Sequence, residues 1–180
     1  MPTPTAAHPE NSPDETVEVV DRAGNVLSLV TRREMREKSL RHRSVFVAVL
    51  SEEGDLLVHQ RAGTKDVWPG WWDIAVGGVC GPGEQWHDAA VREMSEELGV
   101  DGAVIEPLGS GAYDDDQVRL VAQVFLCRTD GPFRFSDGEI TRAHWVSLAE
   151  FPEWLGAKDF LPDSLALVLP LLRGFGTVTP

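Results

Sequence analysis

Residues 78–100 read GVCGPGEQWHDAAVREMSEELGV, and this pattern predicts an α-helix from Gln85 to Leu98. Gly99 follows the helix as a typical C-terminal stop, because glycine readily adopts the left-handed backbone conformation that ends many helices. Within the helix, three glutamates follow the spacing i, i+3 and i+4, which places them on one face. These residues are Glu93, Glu96 and Glu97.

The glutamate face points to a divalent cation. Carboxylates crowded together repel one another, and a hard cation with oxygen ligands neutralises them. Arg92 lies one turn before Glu96 and can hold its carboxylate by a charge-assisted hydrogen bond. A neighbouring apolar stripe of Val91, Met94 and Leu98 would anchor the helix to a core. Three glutamates alone are also consistent with a solvated helix surface. The residues that flank the helix are therefore needed to distinguish a metal site from such a surface.

The wider spacing matches a known signature at every position. Gly78 is followed by five residues, Glu84, seven residues and then REMSEELGV at positions 92–100. The chain therefore resembles the Nudix hydrolases over residues 17–172. The resemblance implies an α/β (α+β) domain, in which a mixed β-sheet is sandwiched between α-helices. It also implies that Mg²⁺ or Mn²⁺ is bound by three ligands: Glu93, Glu96 and Glu97.

The same resemblance assigns the chemistry. Gly78 supplies backbone geometry near the metal, and Glu84 and Arg92 support the metal-binding glutamates. The implied reaction is hydrolysis of a diphosphate linkage in a nucleoside diphosphate derivative by metal-activated water. Glu139 lies in the loop before a predicted strand, where family members often carry a glutamate. The general base therefore stays open among three residues: Glu96, Glu97 and Glu139.

Three further segments resemble a narrower branch that includes type 1 isopentenyl diphosphate isomerases. They are LRHR at 40–43, LLVHQR at 56–61 and KDVWPGWW at 65–72. This resemblance raises the alternative of an isomerase that acts on an allylic diphosphate. A second alternative is a non-catalytic Nudix module for ligand sensing, although such modules usually lose residues of the signature.

The isomerase residues are absent from this chain. The resemblance would place a catalytic cysteine at Gly77 and a metal-binding histidine at Val79. It would place an acidic pair near Val118 and Leu120. Cys80 is three places displaced from the cysteine position. Without a thiol and an acid to exchange protons at carbon, isomerisation has no visible mechanism, so hydrolysis is favoured.

Three residues outside the signature are candidates for substrate contacts. Arg61 follows a predicted strand and could clamp a phosphate, and Trp68 could stack on a base or an apolar tail. His42 matches a metal-binding histidine of the isomerases but lacks its partners, so we interpret it as a substrate-side residue. Trp71 and Trp72 stand close to Trp68, and at least one of the three tryptophans is expected in the core.

Composition restricts the partners. A net charge of −13 argues against a nucleic-acid polymer as partner, and an anionic diphosphate would need local cations such as a metal ion and a few arginines. No apolar run is long enough to span a membrane. Residues 1–15 are interpreted as a disordered leader and residues 16–180 as a single domain. Cys80 and Cys127 are expected to be reduced thiols in a cytoplasmic protein. A homodimer is left open.

Overall fold

The computed structural model describes residues 12–173, so residues 1–11 of the interpreted leader lie outside the described residues. Residues 12–15 of that leader are ordered, because their carbonyl groups accept hydrogen bonds from α1: Arg32 N donates to Glu15 O at 2.7 Å and Arg33 N to Pro13 O at 2.9 Å. The elements in chain order are β1 (Thr16–Val20), β2 (Val26–Thr31), α1 (Arg32–Glu37), β3 (His42–Leu50), β4 (Leu56–Arg61), β5 (Trp72–Asp73), β6 (Val76–Val79), α2 (Trp86–Leu98), β7 (Ile105–Asp114), β8 (Arg119–Arg128), β9 (Ile140–Val146), α3 (Phe151–Ala157), α4 (Pro162–Leu167) and α5 (Leu169–Leu172).

The strands of residues 12–173 form one mixed sheet around β3. β3 pairs in parallel with β8, from His42 opposite Leu120 to Leu50 opposite Arg128. On its other side β3 pairs antiparallel with β6. The remaining strand pairs are antiparallel, with β4 joined to both β5 and β9. The β3 sequence VFVAVL is rich in β-branched residues and lies almost entirely buried, as expected for a central strand covered on both faces.

Helices cover both faces of the sheet. Alternate side chains of β3 point in opposite directions, so Val45 packs with Met94 of α2 on one face. Phe46 belongs to the core on the other face, together with Leu172 of α5. The predicted architecture, a mixed sheet sandwiched between helices, is therefore confirmed. This arrangement presses α2 against β3 and β6 and fixes the face that carries the glutamates.

The long strand β7 was missed by the sequence interpretation. β7 contains Pro107, Gly109 and Gly111, which are poor strand formers, but it forms by antiparallel pairing with β8. The pairing has a register shift between Pro107 and Gly109. A Cβ atom at Gly109 would lie 2.7 Å from Leu171 Cδ1, so the glycine allows the C-terminal helices to lie close to the strand. The tyrosine-aspartate pair Tyr113-Asp114 has the composition of a solvated loop, but both residues belong to the end of β7.

The closing helix also differs from the prediction. The sequence predicts one helix from Ser164 to Leu172, but the structure has two short helices, α4 and α5, which meet at Val168. Pro170 explains the interruption, because it has no amide hydrogen to donate and its ring clashes with the carbonyl group four residues earlier.

Candidate active site

Helix α2 positions the predicted glutamates by its packing and its C-terminal cap. Met94 and Leu98 are fully buried against the sheet. Gly99 ends the helix in the left-handed conformation, with φ of 66°, and its amide donates to Ser95 O at 2.9 Å. The helix thereby buries two of its carboxylates, and the residues Glu93 and Glu97 are only 7% and 4% exposed.

Arg92 is the centre of an ion-pair network on this helix. Its Nε and Nη2 donate to the two carboxylate oxygens of Glu84, at 2.9 and 3.0 Å. Its Nη1 donates to Glu93 Oε1 at 2.7 Å and, more weakly, to Glu96 Oε2 at 3.3 Å. Glu84 Oε2 also accepts from the Gly81 amide at 2.8 Å. Arg92 therefore fixes Glu93 as well as Glu96, the partner that the sequence suggested.

The pKa of Glu84 follows from this network. Burial raises the pKa of the carboxyl group, but the hydrogen bonds from Arg92 and from the Gly81 amide outweigh burial and lower it below its ordinary value. Glu84 is therefore ionised and holds the guanidinium group as a bidentate partner.

Gly78 lies directly against the Glu93 carboxylate. A Cβ atom added at Gly78 would lie 2.4 Å from Glu93 Oε1, well inside contact distance. The glycine of the signature therefore provides room for the glutamate, which is a tertiary reason for its position in β6.

The buried glutamates carry more negative charge than their neighbours compensate. Burial raises the pKa of Glu97 well above its ordinary value, Lys65 opposes this effect, and the nearby charges of Glu93 and Glu139 add to it. Burial raises the pKa of Glu93 as well, against the effect of Arg92. The Lys65 ammonium forms an ion pair with Glu139 and is thus shared by all three carboxylates. A further cation would be stabilised here.

The donor set fits a hard divalent cation in chemistry but does not form a ready-made cage. Within residues 12–173, no three Asp, Glu, His or Cys side chains converge closely enough to hold a metal ion. Glu96 forms an ion pair with Arg92, at 3.3 Å. All the candidate ligands are carboxylates, which Mg²⁺ and Mn²⁺ accept. The ligand set of Glu93, Glu96 and Glu97 stays a prediction.

One cavity adjoins this face, and Glu93 and Glu139 line it. The three predicted substrate contacts, His42, Arg61 and Trp68, all line the same cavity. Arg61 Nη2 donates to Val67 O at 3.3 Å, whereas its buried Nε has no hydrogen-bond partner. Four cationic side chains border the cavity in total: Arg32, Arg36, Arg61 and Lys65.

His42 is a neutral, oriented imidazole. The residue is 2% exposed, and its Nδ1 lies 3.1 Å from Leu40 O. Because a carbonyl group only accepts, Nδ1 carries the proton and Nε2 is left as an acceptor. Burial and then the charge of Arg36 lower the pKa of His42 to about 3.

The three clustered tryptophans occupy different environments. Trp68 is buried and lines the cavity, and its ring lies 6.5 Å from that of Trp71. Trp72 is buried in the core, where its ring meets Trp154 edge-on at 5.2 Å. Packing of a tryptophan of this cluster in the core, which the sequence predicts, is therefore confirmed.

Several charged residues of the cavity escaped the sequence interpretation. Lys65 lies inside a quoted segment but carries no local signal, and Arg32 and Arg36 belong to α1, which a basic i, i+4 pair could have indicated. Asp73 and Asp163 come from β5 and α4 and are both buried. Asp163 is an acidic residue in the mostly apolar segment PDSLALVL, and this pattern could have indicated a buried carboxylate.

The positions of the missing isomerase residues also meet in this cavity. Gly77, Val79, Val118 and Leu120 all line it, and none carries an ionisable group. A Cβ atom at Gly77 would lie 1.9 Å from Val45 O, so the backbone leaves no room for a cysteine side chain. Cys80 is buried instead in the core beneath α2, and burial raises the pKa of its thiol to about 12.

A model of the NUDIX domain matches residues 40–164. The chain belongs to the Nudix hydrolase family. A Yersinia pestis protein described as an uncharacterized Nudix hydrolase is 36% identical over 173 residues, which cover 92% of this chain and 93% of that relative. Nudix hydrolases generally use divalent metal ions such as Mg²⁺ and act on small molecules. No helix in the described part of this Nudix protein is both long and apolar enough to cross a membrane.

Solved structures share the fold. A Deinococcus radiodurans crystal structure matches with a TM-score of 0.73 at 24% identity, over 89% of this chain and 98% of that chain. The NUDIX domain of Shewanella oneidensis NrtR, solved with ADP ribose, matches with a TM-score of 0.62 at 16% identity. That match covers 82% of this chain and 100% of the other. At these identities the likeness establishes the Nudix fold.

Proposed function

We propose that this Nudix hydrolase cleaves the diphosphate linkage of a nucleoside diphosphate derivative, using Mg²⁺ or Mn²⁺ and water. One observation carries the proposal: Glu93 lines a cavity that four cationic side chains border, and the buried Nε of one of them, Arg61, has no hydrogen-bond partner in residues 12–173. In a chain of net charge −13, an arginine donor left without a partner beside a cavity favours an anionic ligand.

The residues of this chain would have separate roles in binding the metal and the phosphates. Glu93, Glu96 and Glu97 would hold the cation, and Arg92 positions Glu93 through its bond of 2.7 Å. When bound, the divalent ion neutralises phosphate charge and lowers the pKa of water. Arg61 and Lys65 would bind the phosphate oxygens, with Arg32 and Arg36 beside them.

A buried carboxylate, Glu97, and a partly buried one, Glu139, are the best candidates for the base. Glu97 accepts no hydrogen bond from another residue in the described range, so its oxygens are available to a water molecule. Glu139 lines the cavity and forms an ion pair with Lys65. Glu96 remains a third candidate, held by Arg92.

The organic part of the substrate would meet apolar walls. Val67, Trp68, Val118 and Leu161 line the cavity, and the indole of Trp68 offers a flat surface to a base. The ADP ribose bound by the Shewanella oneidensis domain supports the nucleoside diphosphate class. An isomerase would need a thiol and an acid, and the corresponding positions, such as Gly77 and Val118, carry neither.

The test is a substrate panel with the purified protein and Mg²⁺ or Mn²⁺. It includes nucleoside di- and triphosphates, nucleotide sugars, dinucleotides, coenzyme A and isopentenyl diphosphate, with product identity and phosphate release followed together. We expect metal-dependent hydrolysis of one nucleotide class. Glu97→Gln should reduce turnover by more than about 100-fold, because it removes a carboxylate from the centre of the site.

Glu153→Gln is the matched control. It makes the same chemical change at an exposed residue of α3, outside the cavity. It should retain full activity. Unchanged turnover in folded Glu97→Gln would refute the site, and isomerisation of isopentenyl diphosphate without phosphate release would replace the hydrolase proposal. The expectations of a homodimer, a cytoplasmic location and no nucleic-acid partner remain predictions.

A further inference from the structure

The loop between β6 and α2, residues 80–85, is fixed to the sheet by a buried ion pair. Arg43 of β3 and Glu18 of β1 form this pair, with Arg43 Nη1 donating to Glu18 Oε2 at 3.1 Å. The two side chains are only 12% and 10% exposed. Both residues lie outside the signature, and Glu18 also lies outside the matched NUDIX domain. The proposed mechanism uses neither of them.

Both members of the pair also reach the loop itself. Glu18 Oε1 accepts from the Gly83 amide at 2.9 Å, so the two carboxylate oxygens of Glu18 hold different partners. Arg43 Nη2 donates to Glu84 O at 2.9 Å. The Arg43 backbone oxygen accepts from the Cys80 amide at 3.0 Å. The loop is thus attached to β1 and β3 at its first residue and again shortly before the helix begins.

Arg43 contacts the start of helix α2 as well. Its guanidinium carbon lies 4.0 Å from the centroid of the Trp86 ring, and Trp86 is the first residue of α2. The N-cap residue, Gln85, makes no side-chain hydrogen bond to the helix. The stacking of Arg43 on Trp86 therefore supplies a constraint on the first turn that a capping side chain gives in other helices.

Glu84 connects the ion pair to the glutamates of α2. Its carboxylate makes the bidentate contact with Arg92, and Arg92 donates to Glu93 Oε1 at 2.7 Å. A shift of the loop would move the Glu84 backbone and, with it, the carboxylate that orients Arg92. Residues that orient metal ligands from behind in this way change the affinity for the metal without touching it.

We propose that Glu18 and Arg43 are positioning residues, which hold the loop so that Arg92 keeps the metal-binding face in place. This inference rests on the proposed metal site of α2. It gives β1 a role in that site, although the strand precedes the matched NUDIX domain. An ion pair that only stabilised the fold would change the free energy of unfolding and leave the metal affinity of the folded protein unchanged.

The experiment measures metal binding without substrate. Mn²⁺ is titrated into the purified protein, and the free ion is followed by electron paramagnetic resonance. Arg43→Lys keeps the charge but cannot contact Glu18, the Glu84 carbonyl group and the Trp86 ring together. Mn²⁺ should therefore bind about 10-fold more weakly. Glu18→Gln removes the charge of the pair with little change of shape and should weaken Mn²⁺ binding by about the same factor.

Two controls define the measurement. Arg41→Lys makes the same change in another partly buried arginine, whose partners, Asp114 and the Leu120 carbonyl group, belong to β7 and β8. It should keep the wild-type Mn²⁺ affinity. Glu93→Gln identifies the Mn²⁺ bound at α2, because a chain of net charge −13 also attracts cations to its surface. Thermal unfolding checks that every variant folds.

A double-mutant cycle tests the route through Arg92. In an Arg92→Lys protein, adding Arg43→Lys should change the Mn²⁺ affinity by less than about twofold, because the contact through which Arg43 acts is already lost. Additive losses would overturn this route.

Three other results would overturn the positioning role: an unchanged Mn²⁺ affinity in folded Arg43→Lys and Glu18→Gln, an equal loss in Arg41→Lys, or no Mn²⁺ bound at α2 in the wild-type protein. The expected losses of affinity together with an inactive substrate panel would retain the positioning role and reject the hydrolase proposal alone.

Discussion

The two carboxylate groups of the cavity differ in how their charge is compensated. Glu93 belongs to an ion-pair network centred on Arg92. Lys65 forms an ion pair with Glu139, and its charge also lowers the pKa of Glu97 against the effect of burial. Asp73 accepts from the backbone amides of Ile74 and Ala75, and Asp163 accepts from the Ser164 amide at 2.8 Å. The first group thus offers carboxylates to a cation, whereas the second is held by backbone amides.

The largest effect in this comparison is expected from Arg92→Lys. Lysine keeps the charge but cannot make the bidentate contact with Glu84 and reach Glu93 at the same time. Hydrolysis should fall roughly 10- to 100-fold, and the metal concentration for half-maximal activity should rise. Arg142→Lys, at an exposed position of β9, is the control. Equal metal dependence in both variants would mean that Arg92 does not position the metal-binding face.

An intermediate effect is expected from two adjacent glycines. A Cβ atom at Gly78 meets only the flexible end of Glu93, at 2.4 Å, so Gly78→Ala should fold normally and lose about tenfold in hydrolysis. A Cβ atom at Gly77 meets the backbone oxygen of Val45 at 1.9 Å. Gly77→Ala should therefore lower the free energy of unfolding by roughly 1–3 kcal/mol.

Thermal unfolding and substrate turnover, measured on both glycine variants, separate these effects. A Gly78→Ala protein less stable than Gly77→Ala would contradict this expectation. The Glu93 carboxylate would then be packed in place and would not move to accommodate the added Cβ atom.

The smallest effect concerns stability at the second carboxylate pair. The folded-state pKa of Asp163, about 7, lies above the ordinary value of 3.8, because burial and Asp73 oppose ionisation while Arg61 favours it. Between these values the folded protein binds the extra proton, so its stability decreases as the pH rises. Asp163→Asn removes this dependence and should gain about 2–3 kcal/mol relative to wild type between pH 5 and pH 8.

Denaturant unfolding at several pH values measures this gain, with Asp159→Asn as the reference. A constant difference between Asp163→Asn and wild type across that range would show that Asp163 is ionised at every pH, and that its cavity is more polar than its contacts suggest.

Local patterns predicted the elements that carry their own signals. The helix ending at Gly99 was predicted because its glutamates, its apolar stripe and its stop all follow α-helical spacing. β3 and β4 are apolar runs beside turns, a pattern that predicts strands. β7 was missed because its pairing with β8 and its contact with α5 overcome the poor strand propensity of Pro107 and its glycines.

The cavity required residues from distant parts of the chain. His42, Arg61 and Trp68 were named from the sequence and do line it. Arg32 belongs to α1, before the matched NUDIX domain, and reaches the cavity because residues 12–15 and β2 hold that helix against the sheet. No spacing rule connects such a residue to α2.

The sequence by itself determined the family, the mixed α/β architecture and the face on which three glutamates share one turn of helix, because i, i+3 and i+4 spacing is a local property of the chain. Only the tertiary structure decided which charges are buried and which neighbours compensate them. Asp163 illustrates the difference, because its pKa of about 7 arises from burial and from Asp73, a residue on another element. Charge compensation depends on distance and on solvent exclusion, and both are set when the sheet and helices pack together.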